Sequence, residues 1–252
     1  MKHLLYTLAI LLIAASCSNE ETEQVMGQGK ARLQFHVSTE SPVVITRSTP
    51  VPTVNQLYVK IQDDTGAVVT QDSLKTLQQN SPVFLEAAEG GTEYEVEVYS
   101  NELKDVILDK PCFFASGAYT LLPEETVLVK LECSLQQFQI SFNASDAFKK
   151  AFRTDDKLQS GDTKFKLTVS DENKRQVSYA LGDLDKSAYF DGAKSSSFIK
   201  IHIEGTTLEG FPVDYSNTIL PKDGLLEKKD HLIIDLQVSE TKSMMLKATP
   251  VE

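Results

Sequence analysis

Along most of this chain apolar side chains return at every second position, the spacing of a strand with one face in a core and one in water. Ala31, Leu33, Phe35 and Val37 alternate with Arg32, Gln34 and His36, and Leu57, Val59 and Ile61 repeat the pattern up to "DDTG". There Gly66 suits a turn, and "AVV" supplies a return strand. The same period runs through "PVFLEA", through "TEYEVEVYS" with Tyr94, Val96 and Val98 on one face, and through "CFFASGAYTLL" and "TVLVKLEC" on either side of Pro123-Glu124-Glu125. About seven short strands separated by turns predict a sandwich.

A second set follows. Phe138, Ile140 and Phe142 open it, "KFKLTVS", "QVSYAL", "SFIKIHIEG" and "FPVDYSN" continue it, and "HLIIDLQVS" closes it. Only "SDAFKKAF" reads as helix, with Ser145 as N-cap and Phe148 and Phe152 four apart on the face that would lid one end of this second unit. The expected fold class is therefore all-β, two tandem antiparallel β-sandwich domains with one short helix. The boundary falls near Cys133 to Gln136, giving domains over 29–134 and 135–252, each large enough to bury a core.

The N-terminus predicts an address. Lys2 precedes an apolar run from Leu4 to Ala15, too short for the roughly 20 residues of a membrane-spanning helix but suited to a signal peptide over 1–16. Ala14-Ala15-Ser16 would satisfy an ordinary signal peptidase, which leaves a plain secreted protein as one reading. Small residues followed at once by Cys17 resemble the bacterial lipobox, which implies that the Cys17 thiol is alkylated with diacylglycerol and becomes the new N-terminus. Acyl chains contribute about 0.8 kcal/mol per buried methylene, so several of them hold a protein on a membrane with no spanning helix. Residues 17–28, beginning "CSNEETEQ", then form an acidic tether. Acids so close to the cysteine resemble the surface-export signal of Bacteroides-type lipoproteins, implying an outer-membrane, lipid-anchored protein on the cell surface; a periplasm-facing position stays open.

The formal charge of −11 spread over 252 residues leaves no basic block. Binding to nucleic acid rests on phosphate neutralisation, so no nucleic-acid partner is expected, and membrane attachment through a basic patch is equally disfavoured.

Catalysis needs converging titratable groups, and none is evident. His36, His202 and His231 alternate with apolar neighbours and are expected to face solvent without a partner at metal-ligand spacing. No G-x-S-x-G elbow occurs. Asp183, Asp185 and Ser187 begin like a calcium loop, but Ala188 stands where glycine is required and Lys194 where the bidentate glutamate belongs. We expect no catalytic, metal or cofactor-binding residues, no cofactor and no enzyme activity. Cys112 and Cys133 lie symmetrically about Leu122-Pro123, so a disulfide across a hairpin and a pair of buried thiols are both open, because one residue of register separates them. With no tryptophan in the chain, Tyr58, Tyr99, Tyr179 and Tyr189 are the residues available to stack on a glycan, although strand tyrosines commonly pack against the sheet.

The stretch "YEVEVYSNELKDVILDKPCFFASGAYTLLPEETVLVKLECSLQQFQISFNASDAFKKAF", with "ITRST" and the lipobox, resembles the Bacteroides-type surface lipoproteins grouped as domain of unknown function 4493, which are similar to fimbrillins. The resemblance implies two transthyretin-like, Greek-key sandwiches end to end. It also implies an Arg-specific cut early in the first domain, which removes a strand and opens a groove that a neighbouring subunit fills by β-augmentation. Arg47, in "VVITRSTPVP", stands in the matching place; an ordinary charged residue in a proline-stiffened loop is the other reading. "DSL" at Asp72 to Leu74 resembles the short O-glycosylation motif of this bacterial group, on Ser73. "LKATPVE" at the C-terminus, with Pro250, is poorly suited to a donor strand. The implied role is adhesion or a fimbria-related function (anchor, tip or stand-alone adhesin), with pilin-like subunits or host or glycan ligands as partners. The rival is a surface glycan-binding lipoprotein of a nutrient-uptake system.

Overall fold

The computed structural model describes residues 29–40, 51–222, 224–239 and 244–251. Eight strands occupy the N-terminal part: β1 (Lys30–Thr39), β2 (Tyr58–Asp63), β3 (Val68–Ser73), β4 (Val83–Glu86), β5 (Thr92–Tyr99), β6 (Val106–Leu108), β7 (Phe113–Leu121) and β8 (Thr126–Leu135). Seven of them form one sheet in the order β3-β2-β5-β7-β8-β1-β4. Strands β7 and β8 pair only at Phe113 with Leu135 and Phe114 with Ser134. The sheet folds over at that narrow ladder, and its halves enclose a single core in which Ala31, Leu33, Leu85 and Val129 meet Val59, Ile61, Val96, Val98 and Leu121. The alternation in β5 shows why: Tyr94, Val96 and Val98 are buried, Glu93 and Glu95 are exposed, and each fully buried Val or Leu favours the fold by about 1.5–3 kcal/mol.

The "DDTG" turn forms as its residues dictate. Asp63 Oδ1 accepts from the Thr65 and Ala67 amides at 3.0 Å and from the Thr65 hydroxyl at 2.6 Å, and Gly66 takes a φ of +80° that a Cβ would resist. A short helix absent from the sequence reading, α1 (Leu74–Gln79), follows β3.

The second sandwich contains β9 (Gln137–Ala144), α2 (Asp146–Ala151), β10 (Lys166–Asp171), β11 (Gln176–Tyr179), β12 (Ala188–Asp191), β13 (Ile199–Thr206), β14 (Pro212–Ile219), β15 (His231–Val238) and β16 (Met244–Val251). A sheet β11-β10-β13-β14 faces a sheet β16-β15-β9-β12-β6 across Phe138, Ile140, Phe142, Leu167, Val169, Ile201, Ile203 and Ile234. Helix α2 is where "SDAFKKAF" predicts it: Ser145 Oγ accepts from the Phe148 amide at 3.1 Å, and Phe148, Phe152 and Phe165 cluster at centroid separations of 4.8 to 6.3 Å to close one end.

Three features depart from the expected pattern. The pairs β1–β8 and β9–β15 are parallel, a direction that period-2 alternation cannot report. The C-terminal residues form β16, antiparallel to β15, with Pro250 opposite Leu232 on an edge strand, where a missing N–H is tolerated. The third is β6, which lies in sequence between β5 and β7 yet pairs with β12 as the edge of the second sandwich's sheet. Ile107, opposite Tyr189, turns to the first core, and Tyr189 belongs to that core. Val106 and Leu108, with Phe190 and Ala188 opposite, pack on the second core. One ladder thus serves two cores, and β6 crosses a division at residue 134.

The junction is otherwise polar. Strand β9 is buried on both faces from Gln137 to Phe142. Gln137 Oε1 accepts from the Cys112 amide at 2.7 Å across the boundary, and on the same strand, within the second unit, Gln139 donates to Ser187 Oγ at 2.9 Å and Ser141 Oγ lies 2.7 Å from His231 Nε2. Lys229 pairs with Glu40 at 2.6 Å across the same boundary.

Candidate functional site

Strand β1 is the element on which the site depends. It runs parallel to β8 over eight residue pairs, Arg32–Thr126 to Thr39–Cys133, and antiparallel to β4 over four, Lys30–Glu86 to Leu33–Val83. Ala31 and Leu33 are completely buried and Phe35 and Val37 half-buried against the core, while Gln34 and His36 face water. Further bonds extend the seat at both ends: Glu124 N–H to Lys30 O, Arg32 N–H to Glu125 O and Glu40 N–H to Cys133 O, each 2.8 Å. Because β4 is only four residues long, β1 has no described strand on that side beyond Leu33. Withdrawing β1 would leave a lengthwise slot lined by the free edges of β8 and β4, with empty seats for four apolar side chains.

Arg47 and Cys17 lie outside the described residues, so their geometry is not part of the site. The chain ends one described stretch at Glu40 and resumes at Val51.

Cys112 and Cys133 are both buried and unbonded. The observed register continues from Phe113–Leu135 to place Cys112 opposite Gln136, whose amide donates to Cys112 O at 3.0 Å, three positions away from Cys133. Of the two readings left open for this pair, the register gives two buried thiols, because the paired part of the hairpin is centred farther along the chain than Leu122-Pro123. Burial pushes both thiols up to about 11, leaving little thiolate.

Ser73 is the N-cap of α1: its Oγ accepts from the Thr76 amide at 3.1 Å and lies 2.7 Å from Thr76 Oγ1. Leu74, the last residue of "DSL", is completely buried. His231 corrects the expectation of an outward-facing ring, since only 6% of it is exposed and burial holds its imidazole down to about 4. His36 is exposed and His202 half-buried, 3.2 Å from Asp214. In the calcium-like run, Asp183 pairs with Lys186 at 2.8 Å and Ser187 is buried beneath Gln139. Among the described residues no three His, Cys, Asp or Glu side chains are grouped to hold a metal ion. No helix among them is long and apolar enough to cross a membrane.

Of the four tyrosines, Tyr179 and Tyr189 are core residues. Tyr58 and Tyr99 sit opposite each other on the outer face of the β3-β2-β5-β7 half, rings stacked at 6.0 Å and 22°. Phe114, next to Tyr99 in the register, extends the row onto β7. The sequence reading missed Phe114, although the inward Phe113 beside it requires Phe114 to face out.

No curated protein matches the chain. Among solved structures it is similar to a candidate cell adhesion protein from Bacteroides ovatus ATCC 8483, with 10% identity, 90% of this chain and 98% of that one covered and a TM-score of 0.42. A second candidate cell adhesion protein, from Bacteroides eggerthii DSM 20697, has 9% identity, covers 90% and 97%, and gives 0.43. A third similar structure, of candidate polysaccharide-binding proteins from Bacteroides thetaiotaomicron VPI-5482, has 8% identity, covers 88% and 98%, and gives 0.37. At these identities and scores the likenesses decide nothing about activity. The family model described as "Domain of unknown function (DUF4493)" matches residues 29–249, and the chain belongs to that family.

Proposed function

We propose that this protein is a lipid-anchored, non-enzymatic cell-surface protein of the adhesion or fimbria-related kind, serving as anchor, tip or stand-alone adhesin. Cys17 carries the lipid, the acidic residues after it direct the protein to the outer face of the outer membrane, and the two sandwiches stand outside the cell. The observation that carries the assembly part is the seat of β1: a strand inserted between β8 and β4, filling the core with Ala31 and Leu33, and followed in sequence by Arg47. A cut after Arg47 removes the covalent hold on β1 and allows another strand to take its place by β-augmentation.

The intact protein treated with an Arg-specific protease tests this. Strand exchange is supported if the cleaved protein remains folded and forms oligomers, and if a synthetic peptide of residues 29–40 suppresses them; cleavage that merely unfolds the chain removes the assembly reading. The anchor is tested separately by palmitate labelling, which Cys17→Ala should abolish together with membrane partitioning. The rival, a surface glycan-binding lipoprotein, shares the anchor and is favoured by the outward Tyr58–Tyr99 pair.

A further inference from the structure

On the outer face of the first sandwich, away from the β1 slot, the register lays Tyr58, Tyr99 and Phe114 in a row across β2, β5 and β7. Tyr58 is 48% exposed and stacks on Tyr99, so the row presents an aromatic face to water. The next row inward on the same face holds Gln71, Lys60 and Glu97, also side by side in register. A hollow of about 570 Å³ is lined by Tyr99, Phe114, Gln71, Lys60, Glu97, Asn101, Glu102 and Gln136 among others, and Tyr58 borders a neighbouring one of about 450 Å³. Both volumes are in the range of small-ligand sites.

The polar rim is held in place before any ligand arrives. Gln71 Nε2 donates to Tyr99 Oη at 2.8 Å, which leaves the phenol proton free to be donated outward. Asn101 Nδ2 is fixed on Pro111 O at 2.8 Å; Gln136 is fixed through Ser134 O at 3.0 Å and receives Lys228 Nζ at 2.8 Å. A rim already oriented loses less side-chain freedom on binding. The charges occur in pairs: Lys60 with Glu97 at 2.6 Å and Lys104 with Glu102 at 3.6 Å. Beyond these pairs the rim holds a single further cation, Lys228, tied to Gln136, and in the neighbouring hollow Lys110 stands beside Asp109, so no cluster of cations draws an anionic ligand.

We infer that this face is a binding site for a neutral saccharide chain. A pyranose ring has one side of C–H groups, which suits an aromatic face, and a rim of hydroxyls that each donate and accept, which suits amides and carboxylates together. The other common occupant of an aromatic-lined groove is a proline-rich segment. It offers carbonyl acceptors and few donors, so Glu97 and Glu102, each paired on one side with a lysine, would lose water without gaining a further donor. The inference deepens the glycan-binding reading above by naming its site and ligand class, and it does not depend on strand exchange or the lipid. Its failure would leave those two readings intact, while sugar binding unchanged in the folded variants would overturn the site and keep the glycan-binding reading.

The test uses the full-length protein in a detergent without a sugar headgroup, titrated with cellotetraose, maltotetraose and mannotetraose, with oligogalacturonate and a proline-rich decapeptide as comparators. Heat and tyrosine fluorescence, unobscured because the chain has no tryptophan, report binding. Saturable binding of at least one neutral tetrasaccharide is expected, weakened about tenfold or more by Tyr58→Ala and by Gln71→Ala. Both side chains are exposed, so circular dichroism should show both variants folded, and Gln71→Ala suffices alone if Tyr58→Ala is not. No saturable binding of any of the three sugars, equal binding by a folded variant, or binding of only a comparator overturns the inference.

Discussion

Replacing Tyr189 by alanine removes a side chain that belongs to a strand of one sandwich and to the core of the other. The ring is 1% exposed. Burying a tyrosine takes on the order of 200 Å² out of water, and at roughly 25 cal/mol per Å² that is about 5 kcal/mol as an upper value. Measured truncations of buried aromatics fall at about 3–5 kcal/mol, so a loss of about 3–5 kcal/mol is expected. Its location is the sharper part of the prediction. Ala188 and Phe190, the neighbours of Tyr189 on β12, pack on the second core, but Tyr189 itself packs on the first, opposite Ile107 of β6. Denaturant unfolding gives the size of the loss, and hydrogen exchange read by mass spectrometry gives its place. Faster exchange should appear in β5, β6, β7 and β8, far from residue 189 in sequence, and a single unfolding transition should broaden or split as the cores part company. A loss below about 1 kcal/mol, or faster exchange confined to β9 through β15, would refute the shared-ladder reasoning.

Arg175→Met should cost about 3–5 kcal/mol in the same denaturant assay, because it strands the Asp171 carboxylate, which is fully buried and receives Arg175 Nε at 2.6 Å. The guanidinium also donates to Lys194 O at 2.8 Å and lies 5.6 and 5.7 Å from the centroids of the Phe138 and Phe190 rings. The double variant with Asp171→Leu should regain much of the loss, and a double variant as unstable as the single one contradicts this. His231 predicts a pH effect. Its folded pKa is depressed from 6.5 to about 4 by burial, so the imidazole's contribution is full above about pH 6.5 and is lost as pH falls towards 4, where the unfolded chain binds a proton that the native one does not. Unfolding free energy should drop by about 2 kcal/mol between neutral pH and about pH 4.5, and His231→Gln should flatten that limb; a variant with an undiminished drop counts against the assignment.

Much of the fold could be read from alternation alone. The inward residues of β1, β2, β5, β9 and β13 are those that period 2 selects, because each of these strands is one layer of a two-layer core and has one wet side or one polar side. Helix α2 was legible from a serine cap and two phenylalanines four apart. What could not be read has a common cause, which is that it depends on a partner distant in sequence. Three-residue β6 is too short to show a period, and only Tyr189 opposite it explains why Ile107 and Val106 turn opposite ways. His231 looked outward because its alternation is genuine, yet its ring is buried and meets Ser141 of the neighbouring strand β9 on that same face. The cysteines depended on register, which the sequence around Pro123 does not fix. In the aromatic row, Tyr58 and Tyr99 were named as individuals, but that they are cross-strand neighbours beside Gln71 is a fact of pairing.

The placement of β6 also bears on the order in which the protein can become complete. A chain delivered from its N-terminus presents Val106–Leu108 early, but the strand that holds them, Ala188–Asp191, is still some eighty residues from emerging. Until it arrives, Ile107 has no Tyr189 to meet and the first core is missing a wall. A nascent N-terminal half is therefore an unfinished object, however regular its own strands, and a premature stop before residue 188 should yield a fragment that proteases clear. The two sandwiches mature together, and neither is a cassette that can be lifted out and joined to something else without cutting through the shared ladder.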